Sequence, residues 1–267
     1  MDFLMKLEFT KMEGLGNDYI YVDESRFPIP DPSDVSIKLS DRHFGIGADG
    51  LVLIGPSQAA DFSMRMFNAD GSEGLMCGNA ARCIGKYVYD MGLTDKRVID
   101  LETASGVRRL NLHLGPDGTV ESVTVGMGSY NIVERELVLE AAGRCFTGMH
   151  VDVGNPHFVV FVPDADAEDV AAVGPLLETQ VPGGINVEFA SVRSGGIRMR
   201  VWERGSGITL ACGTGACATA AAAFEQGLCE GTCSVLMDGG TLQISIQDGT
   251  ILQRGPASMV FEGSVEV

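Results

Sequence analysis

The sequence predicts an α+β protein of two similar domains, each built of strands wrapped around one central helix. Three observations carry this expectation. Short strand-like runs fill most of the chain, only two segments give a strong helical signal, and those two segments are copies of each other.

The strand-like runs include YIYV, LVLI, SMRMF, RRLNLHL, SVTVG, FVVFV, IRMRVW, CSVLM and LQISI, punctuated by Gly, Asp and Pro. The opening MDFLMKLEFTK carries Asp2, Lys6 and Glu8 among its apolar residues, so it reads as a first strand and not as a signal-peptide core.

The helical segments are CGNAARCIGKYVYDMGL, from Cys77 to Leu93, and CGTGACATAAAAFEQGL, from Cys212 to Leu228. Both begin Cys-Gly and both end Gly-Leu. Ala81 matches Ala216 and Tyr89 matches Phe224 without a gap, and upstream Phe67-Asn68 matches Trp202-Glu203. Each copy reads as strand, loop, then a helix opening at the cysteine, with Gly92 and Gly227 as helix-ending residues. The run Ala-Thr-Ala-Ala-Ala-Ala-Phe has almost no polar face, so the second helix is expected to be buried among the strands of its own half. The pivot between halves is placed near Gly126 to Ser129. The first domain is then 1–127 with 259–267, MVFEGSVEV returning to complete its sheet, and the second is 128–258.

Composition narrows the function. With 36 acidic and 19 basic residues the formal charge is −17, which opposes binding to a phosphate backbone or an anionic membrane surface. No stretch has the apolar length needed to span a bilayer. A cytoplasmic location follows, where the seven cysteines stay reduced. Their spacings lack the second knuckle or histidines of a structural zinc site, so no metal is expected.

A cysteine at the first turn of a helix faces unpaired backbone N–H groups and the positive end of the helix dipole, which favour thiolate over thiol. The same N–H groups can receive a carboxylate, and Gly78-Asn79 and Gly213-Thr214 supply small or hydrogen-bonding residues for close approach. Two such elements acting on one α-carbon would make an amino-acid epimerase. One thiolate removes the α-proton, the other thiol returns one, and the carbanionic charge is held by preorganised donors. That scheme requires one cysteine charged and one neutral, and the duplicated pair is Cys77 and Cys212. Cys83, Cys145, Cys217, Cys229 and Cys233 read as ordinary small hydrophobes.

FNADGSEGLMCGNAARC, GNPHFVVFV, INVEFA, WERGSGITLACGTGACA and GLGNDYIYVD together resemble the diaminopimelate epimerases over nearly the whole chain. The resemblance implies two domains, each a barrel-like mixed sheet around a central helix, with Cys77 and Cys212 as the catalytic pair and no cofactor. It implies that Gly78, Asn79, Gly213 and Thr214 hold the carboxylate at the reacting centre, while Asn17, Asn68, Asn155, Asn186, Glu203 and Arg204 surround the rest of the amino-acid substrate. Arg204 is the partner for a distal carboxylate, and His157 and Glu203 support the proton transfer. Without the resemblance, His157 reads equally well as a structural residue at a strand start. The chain departs from the family's pattern at Gly50, where some members carry glutamine, and at Ala81, where glycine is common. Phe261 stands where members that pair as dimers commonly carry tyrosine; a homodimer is expected.

Rival readings are a histidine or proline racemase on the same fold, and a thiol/disulfide switch or binding protein. Proline-type enzymes usually show histidine where this chain has Asn79. GIGADG, Gly45 to Gly50, follows a polar run and precedes LVLI, the reverse of a dinucleotide-binding turn. GTGACA does open a helix, but only 29 residues follow Asp238, too few to complete a doubly wound sheet.

Overall fold

The computed structural model describes residues 6–267; the first five residues of the expected opening strand lie outside them. The chain divides into two compact units, one reaching Val125 and including Gly255–Val267, the other Gly126–Arg254. In the first lie β1 (Lys6–Gly14), β2 (Asn17–Asp23), α1 (Pro32–Ser40), β3 (Gly50–Gly55), β4 (Phe62–Asn68), β5 (Glu73–Gly74), α2 (Gly78–Asp90), β6 (Val98–Thr103), β7 (Gly106–Leu114) and β8 (Val120–Gly128), whose last residues cross the border. The second holds β9 (Asn131–Ala141), β10 (Arg144–Asp152), β11 (Pro156–Phe161), α3 (Val170–Glu178), β12 (Asn186–Arg193), β13 (Gly196–Glu203), β14 (Gly207–Ile208), α4 (Gly213–Glu225), β15 (Thr232–Met237), β16 (Gly240–Gln247) and most of β17 (Thr250–Pro256). The last strand, β18 (Ser258–Glu266), belongs to the first unit, where it pairs antiparallel with β1.

The internal repeat is visible in the strand pairing. In the first unit the order β18-β1-β2-β3-β4-β6-β7-β8 is joined antiparallel, antiparallel, parallel, antiparallel, parallel, antiparallel, antiparallel. In the second, β9-β10-β11-β12-β13-β15-β16-β17 follows the same succession. Registers correspond residue by residue: Tyr19 pairs with Gly50 as His157 pairs with Asn186, and Leu51 with Phe67 as Val187 with Trp202. The strand that the second unit takes from its own N-terminal side, β9, is supplied in the first by the C-terminal β18.

Each sheet is covered by helix on both faces. Helix α4 packs against β10, β11, β12, β13, β15 and β16, and α2 against β1, β7 and β18, while α1 lies on β3 and β4 and α3 on β9, β12, β13 and β14. This explains why LVLI and FVVF are continuous apolar runs rather than alternating ones, since the strands of a parallel pair covered on both faces have no wet side. Leu51 and Leu53 join the core that includes Leu39 of α1, while Val52 and Ile54, pointing the other way, are equally buried. Residues 215–223 of α4 are all buried, and its alanines let the surrounding strands approach.

Both cysteine helices run thirteen residues and start and stop at matching positions. Each ends in a Schellman motif. Gly92 N–H donates to Tyr89 O and Leu93 N–H to Val88 O, and in the second unit Gly227 N–H donates to Phe224 O and Leu228 N–H to Ala223 O. Gly92 and Gly227 sit at φ of 73° and 68°, the left-handed conformation that glycine adopts without a Cβ penalty.

Candidate active site

The sequence puts a cysteine one residue before each central helix, and in both units that cysteine is the N-cap. Cys77 accepts the Ala80 N–H on its sulfur at 3.5 Å, and Cys212 accepts that of Gly215 at 3.3 Å. Sulfur thus takes the capping role usually filled by a Ser, Asp or Asn oxygen, which points each thiol along the open N–H groups of the first turn.

In the first unit the start of β2 delivers Asn17 to the helix. Its Oδ1 accepts from Asn79 Nδ2 at 3.1 Å and lies 3.5 Å from Cys77 Sγ, which donates to it as a thiol. Asn17 is oriented from behind, since its Nδ2 donates to Asp49 at 2.8 Å. Asn79 is oriented by Arg82, a fully buried guanidinium whose Nη2 donates to Asn79 Oδ1 at 2.8 Å while Nε donates to the Pro256 carbonyl at 3.0 Å. Asn17, Cys77, Gly78 and Asn79 therefore come together. Asn68, closing β4, turns its amide to Ser72 Oγ at 2.9 Å. No side chain fits at Gly50: a Cβ there would lie 2.1 Å from the Phe67 carbonyl oxygen.

The second unit builds a more acidic half-site. Thr214 Oγ1 lies 3.6 Å from Cys212 Sγ and accepts from Asn155 Nδ2 at 3.4 Å. Asn155 Oδ1 is 3.0 Å from His157 Nε2, and His157 Nδ1 is 2.6 Å from Glu188 Oε1. Both side chains of that pair are fully shielded from solvent. Glu203, which closes β13, accepts from the Thr209 hydroxyl and takes a further hydrogen bond from Cys212. Asn186 holds the turn after β13, donating to the Pro156 carbonyl and accepting the Arg204 N–H at 3.0 Å. The Arg204 guanidinium is exposed and donates to the carbonyls of Gly183 and Gly184. Asn155, His157, Glu203, Cys212, Gly213 and Thr214 thus form one cluster, with Asn186 and Arg204 beside it on the β12 and β13 ends.

The electrostatics at Cys212 depart from the helix-dipole expectation. Burial pushes its thiol well above the ordinary thiol range, and the Glu203 and Glu188 carboxylates push the same way. The Thr214 hydroxyl and the Gly215 N–H oppose them without prevailing. Burial also raises the Glu203 carboxyl, opposed by the hydroxyl of Thr209 and the thiol of Cys212. At this site desolvation outweighs the open helix end and favours the neutral thiol.

Sequence reasoning missed Glu188, Gly215 and Arg82. Glu188 lies inside INVEFA, two residues after Asn186, and period-two alternation places both on one face of β12. Gly215 had a signal as well: its repeat mate is Ala80, so one copy of the first turn needs a glycine that the other does without. A Cβ on Gly215 would meet Glu188 Oε1 at 2.7 Å and Cys212 Sγ at 3.1 Å. Arg82 stands where the second helix has Cys217, and nothing in its spacing announced a buried charge.

The profile of the family described as diaminopimelate epimerase matches residues 9–133 and 149–260. Curated proteins named diaminopimelate epimerase are similar over nearly the whole chain. That of Bacteroides thetaiotaomicron is 54% identical over 266 residues, covering 98% of each chain; that of Parabacteroides distasonis is 52% identical at the same coverage; that of Acetivibrio thermocellus is 46% identical, covering 98% of this chain and 99% of its own. Among solved structures, a phenazine biosynthesis protein of the PhzF family from Bacillus anthracis matches with a TM-score of 0.78 at 14% identity, over 99% of this chain and 100% of that one. A hydroxyproline epimerase from Agrobacterium vitis matches at 0.72 and 17%, over 98% and 91%. At such identities the structural likeness speaks for the fold, the two-domain α+β architecture expected from the repeat. With a family profile spanning most of both units and relatives identical at half of all positions, the chain belongs to the diaminopimelate epimerase family, a family of isomerases.

Proposed function

We propose that the protein converts LL-2,6-diaminopimelate to the meso form without a cofactor, by moving an α-proton between Cys77 and Cys212. The single observation that carries this reading is the repetition of one half-site, a cysteine N-capping a buried thirteen-residue helix, in both units. Inversion of one carbon needs a base on one side and an acid on the other, and two copies of a thiol half-site supply one of each. One thiolate takes the α-proton and becomes a thiol, leaving the electron pair on the α-carbon and its carboxylate. The other thiol then gives its proton to the opposite face and becomes the thiolate. One proton has entered and one has left, the pair's charge is unchanged, and the cysteines have exchanged roles.

In this reading Gly78, Asn79, Gly213 and Thr214 hold the reacting carboxylate at the helix N-termini, where the developing charge is stabilised. Asn17, Asn68, Asn155, Asn186 and Glu203 surround the ammonium groups and the second amino-acid head, and Arg204 receives the distal carboxylate. His157 and Glu203 set the charge around Cys212. The names of the relatives support diaminopimelate as substrate. Lysine and cell-wall precursor synthesis in the cytoplasm, and a homodimer with Phe261 near its interface, complete the proposal.

The test is α-deuterium incorporation when reduced protein is incubated with LL- or meso-diaminopimelate in deuterated water, with histidine and proline alongside. Exchange confined to diaminopimelate is expected. Exchange only with histidine or proline would move the activity to a racemase of that kind, and none with any substrate would end the reading.

A further inference from the structure

Four hydrogen bonds connect a buried carboxyl to the sulfur of Cys212. The chain runs from Glu188 to His157 at 2.6 Å, from His157 to Asn155 at 3.0 Å, from Asn155 to Thr214 at 3.4 Å, and from Thr214 to Cys212 at 3.6 Å. Its direction is set by which atoms meet. Asn155 presents Oδ1 to His157 and Nδ2 to Thr214, so Nε2 of the ring must donate and the Thr214 oxygen must accept. Having accepted, Thr214 has its own hydroxyl proton free for the remaining neighbour, the sulfur of Cys212.

The other end closes the proton count. With Nε2 protonated toward Asn155, a neutral ring would leave a bare Nδ1 facing a carboxylate oxygen at 2.6 Å, two acceptors in contact. One more proton must sit between them. Whether it is drawn on the ring or on the carboxyl, the pair holds two protons and carries no net charge. A neutral pair also suits the surroundings, since both side chains are fully buried and Glu188 Oε2 has no hydrogen-bond partner among the described residues.

We infer that Glu188 is a positioning residue for the proposed two-thiol reaction: by sharing a proton with His157 Nδ1 it keeps Nε2 protonated, so that Nε2 donates to Asn155, Asn155 donates to Thr214, and Thr214 donates to the sulfur of Cys212. The inference rests on that reading for its catalytic meaning, while the chain itself can be tested without substrate. Among the described residues the first unit contains no counterpart, because β-register sets Tyr19 and Val52 where His157 and Glu188 stand. Inward-facing Glu188 also explains Gly215, whose missing Cβ leaves room for Oε1 beside the helix.

Three measurements test it. In protein labelled with nitrogen-15 at histidine, Nε2 of His157 should show a directly bonded proton; a bare Nε2 would overturn the inference without any variant. The pH dependence of Cys212 alkylation by iodoacetamide, followed by mass spectrometry of the Cys212 peptide, reads the donor on the sulfur. Because the Glu188–His157 pair it breaks carries no net charge, Glu188→Leu removes no net field at the sulfur and should raise its midpoint by about one pH unit, the loss of one hydrogen bond to a charged acceptor, and lower kcat by roughly ten-fold or more with KM held within about three-fold. Glu188→Gln, whose amide can donate to Nδ1 and keep the ring's tautomer, should stay within about three-fold of the parent. Thr214→Val should move the midpoint as Glu188→Leu does, and the double variant should move it no further than Thr214→Val alone, because both act through one chain. An unchanged midpoint in folded Glu188→Leu, additive shifts in the double variant, or Glu188→Gln as impaired as Glu188→Leu would each overturn it. Should Glu188→Leu fail to fold, the histidine spectrum and Glu188→Gln still decide. Absence of α-deuterium exchange by the parent would end the two-thiol reading and leave these substrate-free results to judge the chain.

Discussion

Asn17 Oδ1 lies 3.5 Å from the sulfur of Cys77, with its amide nitrogen held by Asp49 on the far side. An acceptor at that distance is satisfied by a thiol and repels a thiolate, and here the repulsion is modest because the oxygen is neutral and shared with Asn79. Replacing the amide by a carboxylate converts the contact into a charge–charge one. Asn17→Asp is expected to raise the pH midpoint of Cys77 alkylation by about one unit or more, the size of a unit charge near 4 Å in a partly solvated site. Epimerisation should slow in proportion at neutral pH and partly recover as the pH is raised. Peptide-resolved alkylation against pH checks it, and an unshifted Cys77 would show that Asn17 does not govern its ionisation.

The opposite manipulation applies at Cys212. Burial raises this thiol first, and the ionised Glu203 carboxylate second, so removing that charge must lower the midpoint. Glu203→Gln is expected to bring it down by about one to two pH units, at every pH above the raised carboxyl range of Glu203, where the native residue is charged. Turnover should nonetheless fall, by about 10²-fold, since the carboxylate that accepts a hydrogen bond from the Cys212 thiol and orients it is gone. A lowered midpoint together with lowered kcat separates this role from simple damage, which would move activity alone.

The repeat was legible because it rests on chain-local facts. Cys-Gly openings, Ala81 with Ala216, and Gly-Leu endings report helix start, packing face and stop, each fixed within a few residues of sequence. Helices α1 and α3 were not anticipated: Pro32–Ser40 and Val170–Glu178 are nine residues each and stabilised by the sheet faces they cover rather than by their own pattern. Pro175 within α3 also weighs against a helix when read locally. The site was half legible for a related reason. Asn155, His157, Glu203, Glu188, Arg82 and the two cysteines all lie in the quoted motifs, but Glu188 and Arg82 matter through partners 31 and 174 residues distant. What sets the Cys212 thiol was not legible, because the helix N-terminus is a local feature, while desolvation and two carboxylates arrive from other strands.

Gly215 tests how tightly the first turn of α4 is filled. An added Cβ would stand 2.7 Å from Glu188 Oε1 and 3.1 Å from Cys212 Sγ, neither of them the free end of a flexible side chain. Gly215→Ala is expected to cost roughly 1–3 kcal/mol of stability through forced displacement, outweighing the gain in helix propensity, and to lower kcat by at least about ten-fold. The reciprocal Ala80→Gly should leave turnover near the parent value and cost about 1 kcal/mol from the added backbone freedom. Urea unfolding and steady-state kinetics on both variants check the asymmetry; equal effects would mean that Gly215 is not reserved for the carboxyl beside it.

Alkaline pH should weaken the fold well before it reaches the lysines. Burial pushes the Cys83 thiol from 9.0 up to about 12, and burial likewise raises the neighbouring Tyr21 hydroxyl. Cys233 is likewise pushed up to about 12 by burial. The folded chain holds these protons more tightly than the unfolded chain does. Below about pH 9 both states are protonated and nothing changes; between about pH 9 and about pH 12 the unfolded thiols ionise while the folded ones do not, and stability falls. For Cys83 alone the full loss is about 4 kcal/mol. The urea midpoint should therefore hold level at neutral pH and decline steadily above about pH 9. Cys83→Ala, less stable at neutral pH through its lost packing, should decline more gently, so that the two curves converge as the pH rises. Parallel curves would show that the Cys83 proton is not what the alkaline fold depends on.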